Sequence, residues 1–390
     1  MAGPAFERVV ADDPTELGLD PQALEDLFTR AQKDIDDGRI PSCQIALARN
    51  GTLGVWRTLG DAAPDSRYVI FSATKPVVAG GIWILIGEGA IDISQPVAAL
   101  IPEFGSNDKD AITIEQVLLH TSGFPRAPFN ALDWDDRERR LARFAAWRTN
   151  WKPGTRYEYH PPSAHWVLAE LIERATGTDF REFLRARILD PLGLRGLEVG
   201  VAPADQGDIN ALMLTGSRAT PDELEAAIGI RELPLTEVTP DALMSFNRPE
   251  VRAVGVPGGG GVSTAADLAL YYQALLHDPL GIWKPDVLAD VTTNVRNRMP
   301  DYIGTPANRT IGLMLAGNDG RSNARGMGRT VSPGTFGHNG AGGQIAWADP
   351  ATGVSFVYLT NGLDQHQLTE WRRTTAIASR AGNCVPSGAR

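Results

Sequence analysis

The sequence predicts an α+β fold: an antiparallel sheet flanked by helices, with a mainly helical segment inserted between its halves. Three observations carry that expectation. Strand-like stretches bounded by turn residues cluster at the two ends of the chain. Amphipathic stretches closed by glycines fill the middle. One stretch, 73–87, is apolar nearly all round, as a central buried helix must be. The economical division assigns residues 1–68 and 300–390 to an α/β domain built from both termini. Residues 69–299 then form a mainly helical domain, with the active site at the interface.

Taken in order, "DPQALEDLFTRAQKDIDDGR" has helical spacing with acidic residues near its start. "CQIALARNGTLGVWRTLG" reads as two strands joined at Asn50-Gly51, a strong hairpin signal because both turn positions need positive φ. "TIEQVLLHTSG" is a helix with Gly123 near its end. "SAHWVLAELIERATG" and "DFREFLRARILDPLG" are amphipathic helices with glycine stops. Residues 200–260 read as irregular and rich in Pro, Gly and Thr, with one short helix at "PDELEAAIG". In "STAADLALYYQALLHDP", Ser263 or Thr264 can cap a helix and Asp267 falls in its first turn. "GGQIAWADPATGVSFVYLTNG" reads as a second hairpin, and "QLTEWRRTTAIASRA" as a final helix.

Composition narrows the function classes. At 43% hydrophobic and 22% charged, the 390 residues suit a globular protein with a large core. A formal net charge of −10, with only five lysines among 37 basic residues, disfavours nucleic acid and anionic membrane surfaces as partners. Cys43 and Cys384 stand at opposite ends, so neither a disulfide framework nor a Cys/His zinc pattern is expected, nor any cofactor. The first twenty residues lack a basic segment followed by an apolar one, and the longest apolar stretch, 77–86, is too short to span a bilayer. A cytoplasmic enzyme is the expectation, and association into homo-oligomers is left open.

Against that scarcity of lysine, Lys75 heads the apolar stretch, three residues after Ser72. Residues three apart share a helix face. Pro76 is tolerated in a first turn, whose backbone N–H groups lack partners anyway, so the helix starts near Ser72. Burial and the positive end of the helix dipole both push an amine there toward neutrality, and a neutral lysine can take a proton from serine. The plainer alternative is a capping serine and a lysine that snorkels to water. A second Ser-x-x-Lys match, Ser106 to Lys109, lies in polar "GSNDKD" and reads as a solvated loop.

With "FSATK" stand four further stretches, in order: "LLHTSGF", "PGTRYEYH", "GGGGVSTAADLALYYQALL" and "FGHNGAGG". Together these resemble the serine β-lactamase and penicillin-recognising superfamily, nearest to class C β-lactamases and the family VIII carboxylesterases of the same fold. The resemblance runs from about residue 20 to 375. It implies a β-lactamase-like fold, Ser72 as acylated nucleophile, Lys75 as its proton partner, and Tyr159 as the residue that serves the leaving group and then the deacylating water. A tyrosinate-like oxygen at Tyr159 is expected beside a lysine and a helix dipole. Tyr157 is the rival; the Pro-Gly-Thr-x-x-x-Tyr spacing selects Tyr159. His338, Asn339 and Gly340 fall where the superfamily has Lys-Thr-Gly or His-x-Gly on an edge strand. Gly340 would let the substrate carbonyl approach, and the N–H groups of Ala341 and Ser72 would form the oxyanion hole.

Two departures bear on substrate. Pro161 replaces the asparagine of Tyr-x-Asn, removing an amide donor, and His338 replaces a lysine, weakening a carboxylate clamp at neutral pH. A one-residue shift here would bring His160 or Ser163 into the site. His120 and His165 read as structural, and Asp267 as a helix-start acid. No Gly-x-Ser-x-Gly elbow is present. The reading is a serine hydrolase of small carboxylic esters acting through an acyl-serine. Its alternatives are a β-lactamase, D-amino-acid peptidase or acyltransferase on the same fold and, less favoured, a non-catalytic ligand-binding member.

Overall fold

A computed structural model describes residues 4–233 and 238–385. The first three residues of the N-terminal reading and residues 234–237 of the irregular stretch lie outside it. The architecture is set by a six-stranded antiparallel sheet whose strands come from 42–60 and 314–360. Its spatial order is Thr52–Gly60, Ser42–Arg49, Val354–Thr360, Ile345–Asp349, Phe336–Gly337 and Met314–Leu315. The first hairpin turns at Asn50 (φ 53°) and Gly51 (φ 79°), as an Asn-Gly turn requires. Its inner strand pairs in register with the C-terminal hairpin, Cys43 opposite Thr360 and Ala46 opposite Val357.

Period-two alternation assigns each face of the sheet. Cys43, Ile45 and Leu47 point to a core shared with helices Pro21–Asp36 and Gln367–Gly382. Ala46 and Ala48 point to the main core, against which helix Ala265–His277 packs. Thr264 caps that helix by accepting from Asp267 N at 3.1 Å. Asp267 is fully buried and accepts from Gly196 N and Thr264 Oγ1, a helix-start acid as read. The central helix is Lys75–Gly87, entered through a single tight turn, Phe71–Thr74. All but one of its residues are buried, against Ser163–Thr176 and Phe180–Leu184.

Two expectations are corrected. The "GSNDKD" loop exposes Ser106, Asp108 and Asp110 to solvent as read, but its lysine is not solvated: Lys109 is fully buried, donating to the carbonyls of Ser106 and of Trp147 (2.6 Å), with its amine 5.4 Å from the centre of the Phe104 ring. Burial lowers its pKa to about 8, and those two carbonyls replace the water a lysine loses. The 200–260 stretch holds more helix than its composition suggested. Besides Pro221–Ile228, opened by a Thr220–Glu223 capping box, Pro240–Met244 and Pro249–Val254 each start on proline. A short parallel pair, Gly362–Asp364 with Met213–Thr215, ties this stretch to the end of the sheet.

Candidate active site

The turn carrying Ser72 is held from both sides. Ile70 N donates to Gly261 O (2.9 Å), while Thr74 Oγ1 donates to Phe71 O (2.6 Å) and accepts from Gly261 N (2.9 Å). Phe71 adopts φ 45°, a left-handed conformation that a bulky aromatic residue avoids, directly before the serine. Strain of this kind persists where the surroundings over-determine it, and here they do. The Lys75 amine then lies 3.1 Å from Ser72 Oγ and donates to Gly258 O at 2.5 Å. Burial first, and the charge of Arg309 second, push the Lys75 pKa well below its ordinary value, toward the uncharged amine.

Tyr159 completes the cluster. Its ring centre is 5.0 Å from Lys75 Nζ, 4.8 Å from the His120 ring and 5.9 Å from the His338 ring. Its hydroxyl is buried and makes no hydrogen bond of normal geometry, although Ser72 is near enough to favour the ionised form. The expected tyrosinate is corrected. Burial drives the phenol upward, against the pull of Arg309 and Ser72, because the low dielectric penalises an anion more than those neighbours favour it. At rest Tyr159 is a proton donor. Tyr157 lies outside the cluster's centre, accepting from Arg309 Nε at 2.9 Å.

The glycine-rich strand end behaves residue by residue. A Cβ on Gly340 would stand 2.2 Å from Ile70 O, so the space its missing side chain frees is filled by the chain's own carbonyl two residues before Ser72. That approach brings Ala341 beside Ser72, and both line one cavity. Asn339 turns its amide over Gly326, where a Cβ would fall 1.3 Å from Nδ2. His338 is buried. Its Nδ1 faces Asn339 O at 2.8 Å, which assigns the proton to Nδ1 and leaves Nε2 as acceptor toward Arg309 Nη1 at 3.4 Å. Burial, then Arg309 and Lys75, hold its pKa well below the ordinary histidine value.

His160 and Ser163 do not reach the cavity. His160 is buried in the loop, its Nε2 accepting from Phe124 N (3.0 Å) and its Nδ1 facing Glu158 O (2.6 Å); burial lowers its pKa to about 3. Ser163 Oγ donates to Phe124 O. Pro161 and Pro162 are the residues of this segment that line the cavity. His120 follows helix Ile114–Leu118 at φ 57°, and its Nδ1 accepts from His160 N. His165 is buried beneath the site and its ring nitrogens make no hydrogen bond.

Sequence reasoning missed two groups, the Gly258 carbonyl that holds Lys75 and the guanidinium of Arg309. The first had a faint signal in "GGGG", since a Cβ on Gly258 would lie 2.8 Å from Pro161 O. The second had none. Above Ser72 opens a cavity of about 370 Å³, walled by Phe71, Phe129, Trp166, Leu243, Phe246 and Val256. Among the described residues no group of three His, Cys, Asp or Glu is disposed to hold a metal ion, and no helix is long and apolar enough to cross a membrane.

Comparisons with known proteins agree with this geometry. Residues 24–379 match the family model described as Beta-lactamase. Esterase/beta-lactamase LipL of Mycobacterium tuberculosis is 30% identical over 79% of this chain and 74% of its own. Esterase EstB of Burkholderia gladioli is 26% identical over 90% of this chain and 93% of its own. Among solved structures, a penicillin-binding protein homolog from Caulobacter crescentus superposes with TM-score 0.75 at 27% identity. A family VIII carboxylesterase superposes with TM-score 0.73 at 25% identity; each covers 93% of this chain and 98% of its own.

Proposed function

The chain belongs to the beta-lactamase family, and we propose that it is a serine hydrolase of small carboxylic esters working through an acyl-serine. One observation carries the reading: a buried Lys75 amine 3.1 Å from Ser72 Oγ, its pKa pushed well below the ordinary value, where Ser72 and Ala341 together line an apolar cavity. Ser72 Oγ bonds to the ester carbonyl carbon while its proton passes to the Lys75 amine. The N–H groups of Ser72 and Ala341 receive the developing oxyanion. The C–O bond to the alcohol breaks, and Tyr159, a neutral phenol, gives that alkoxide its proton; the Lys75 proton then restores the phenol. In deacylation a water attacks the acyl carbon, its proton returning through Tyr159 and Lys75 as Ser72 is released.

The cavity supports an apolar acyl or alcohol group of modest size. A neutral His338, buried away from that cavity, supports neutral esters over substrates that need a carboxylate clamp. In this reading the sheet domain of residues 1–68 and 300–390 meets the helical domain of 69–299 at Ser72. The test is intact mass after incubation with p-nitrophenyl butyrate, a fluorophosphonate and a penicillin, followed by kcat/KM for each substrate. The expected result is one acyl or phosphonyl adduct on Ser72 and ester turnover far above penicillin turnover. Penicillin turnover equal to ester turnover would move the assignment to a β-lactamase, and no adduct with any probe would remove it.

A further inference from the structure

Arg309 is a cation without an anion. It is 4% exposed, its Nε donates to the Tyr157 hydroxyl, its Nη1 faces the acceptor nitrogen of His338, and its Cζ lies 5.0 Å from the centre of the Tyr159 ring. Other arginines of the same region have carboxylate partners: Arg296 pairs with Glu115 and Asp290, and Arg325 with Asp319. Arg309 has no such pair among the described residues. Glu158, the acid nearest in sequence to Tyr157 and Tyr159, is turned to Arg126 and Arg156. Burying an unpaired guanidinium is costly, and arginine cannot escape the cost by releasing its proton.

The titratable groups around it come from every neighbouring element. Lys75 comes from the central helix, and Tyr157, Tyr159 and His160 from the loop before Ser163–Thr176. His120 follows Ile114–Leu118, His165 sits in Ser163–Thr176, and His338 ends its strand. None is a carboxylate that would neutralise the guanidinium, and its field disfavours the proton on Lys75, Tyr159 and the four histidines.

We propose that Arg309 is the fixed cation of this site, a positioning residue that keeps the Lys75 amine deprotonated and eases proton release from Tyr159, supplying from the 296–315 segment the positive charge that His338 does not carry. The proposal rests on the serine-hydrolase reading. In support, after burial, the charge of Arg309 helps to lower the pKa of Lys75, His120, His165 and His338, and it opposes burial at Tyr159. Through a partly polar interior, a unit charge at such separations moves a titration by about one pH unit or more.

The experiment is the pH profile of kcat/KM for p-nitrophenyl butyrate, from pH 5 to 9, for wild type, Arg309→Gln and Arg309→Met, each with its fold checked by circular dichroism. Both variants remove the charge; Gln keeps a donor for Tyr157 and His338, and Met does not. A lysine would not serve as the control, since a buried, unpaired ammonium can shed its proton. The limbs of both profiles are expected about one unit or more above those of wild type. A folded Gln or Met variant with wild-type limbs overturns the proposal. Should one variant not fold, the other decides. A wild type that turns over no ester defeats the hydrolase reading itself, whereas an active wild type with unmoved Gln limbs defeats only the role of Arg309.

Discussion

Lys75 Nζ stands 3.1 Å from Ser72 Oγ, one turn along a helix whose start is fixed by Pro76 and by the strained Phe71. Ser72 is half-buried and Lys75 fully so, and desolvation pushes the amine's pKa well below its ordinary value. Ser72→Ala is therefore expected to remove both ester hydrolysis and covalent labelling while the circular dichroism spectrum and Tm stay near wild type. Lys75→Arg is expected to be inactive to a similar degree, since arginine stays protonated and cannot accept the serine proton. Retained labelling in either variant would reassign the nucleophile or its base.

The two tyrosines separate by role. Tyr159→Phe removes the proton donor and is expected to lower kcat about a hundredfold or more. Tyr157→Phe withdraws the acceptor of Arg309 Nε and leaves a buried charged donor unpaired, a stability cost of about 1–3 kcal/mol. Its activity loss is expected to be smaller than that of Tyr159→Phe. Urea unfolding and steady-state kinetics on both variants check the ranking, and the reverse order would shift the assignment to Tyr157.

Acid is expected to unfold the protein before it improves carboxylate recognition. With an ordinary pKa, His338 would be protonated below pH 6.5 and recover a clamp for a β-lactam carboxylate; burial and then Arg309 instead hold its pKa well below that value. The nitrocefin-to-ester ratio of kcat/KM should thus stay flat from pH 8 to 5.5. His120, His160 and His165 are lowered as well. Below about pH 6.5 the unfolded chain binds protons at these rings that the folded chain does not, so stability falls with falling pH. Each fully shifted ring contributes about 1.4 kcal/mol per pH unit, down to its folded pKa. Urea midpoints at pH 7.5, 6.5, 6.0 and 5.5 read this directly, and a midpoint constant over that span would contradict it.

Gly340→Ala is expected to cost both stability and activity, because its methyl would meet Ile70 O at 2.2 Å and drive Ala341 away from Ser72. A backbone carbonyl cannot swing aside as a flexible side chain does, so a loss of about 2–4 kcal/mol and of most ester turnover follows. Gly207→Ala, where nothing lies within 4 Å of the added methyl, is the control and should change neither.

What the sequence disclosed depended on how local the signal was. The closeness of Ser72 and Lys75 was legible because helix spacing is local, whereas Tyr159 came from the resemblance, whose Pro-Gly-Thr spacing lands on it; the structure sets the three side chains together. The two hairpins were legible because Asn50-Gly51 and period-two alternation are local as well. Arg309 sits in a loop with no periodicity, and its importance is the absence of an acid around it in space. Lys109 was misread for the converse reason: its polar sequence neighbours concealed two carbonyl acceptors, one of them contributed by Trp147 far along the chain. The protonation state of Tyr159 followed from how deeply it is buried, which no short motif reports.

The pairing of Cys43 with Thr360 has a consequence for how the chain is made. The inner strand of the first hairpin emerges from the ribosome early, and its hydrogen-bonding neighbour follows about 300 residues later. At roughly 5–20 residues per second of synthesis, that interval lasts on the order of 15–60 s. Throughout it, an unpaired edge rich in Ile45, Leu47 and their neighbours is open to chaperones or to other nascent chains. Ala341 also arrives late, so under the proposed mechanism a truncated product has Ser72 but lacks the second oxyanion donor. Under the same mechanism the site is complete only near the end of translation, after the strand has waited unpaired for its neighbour.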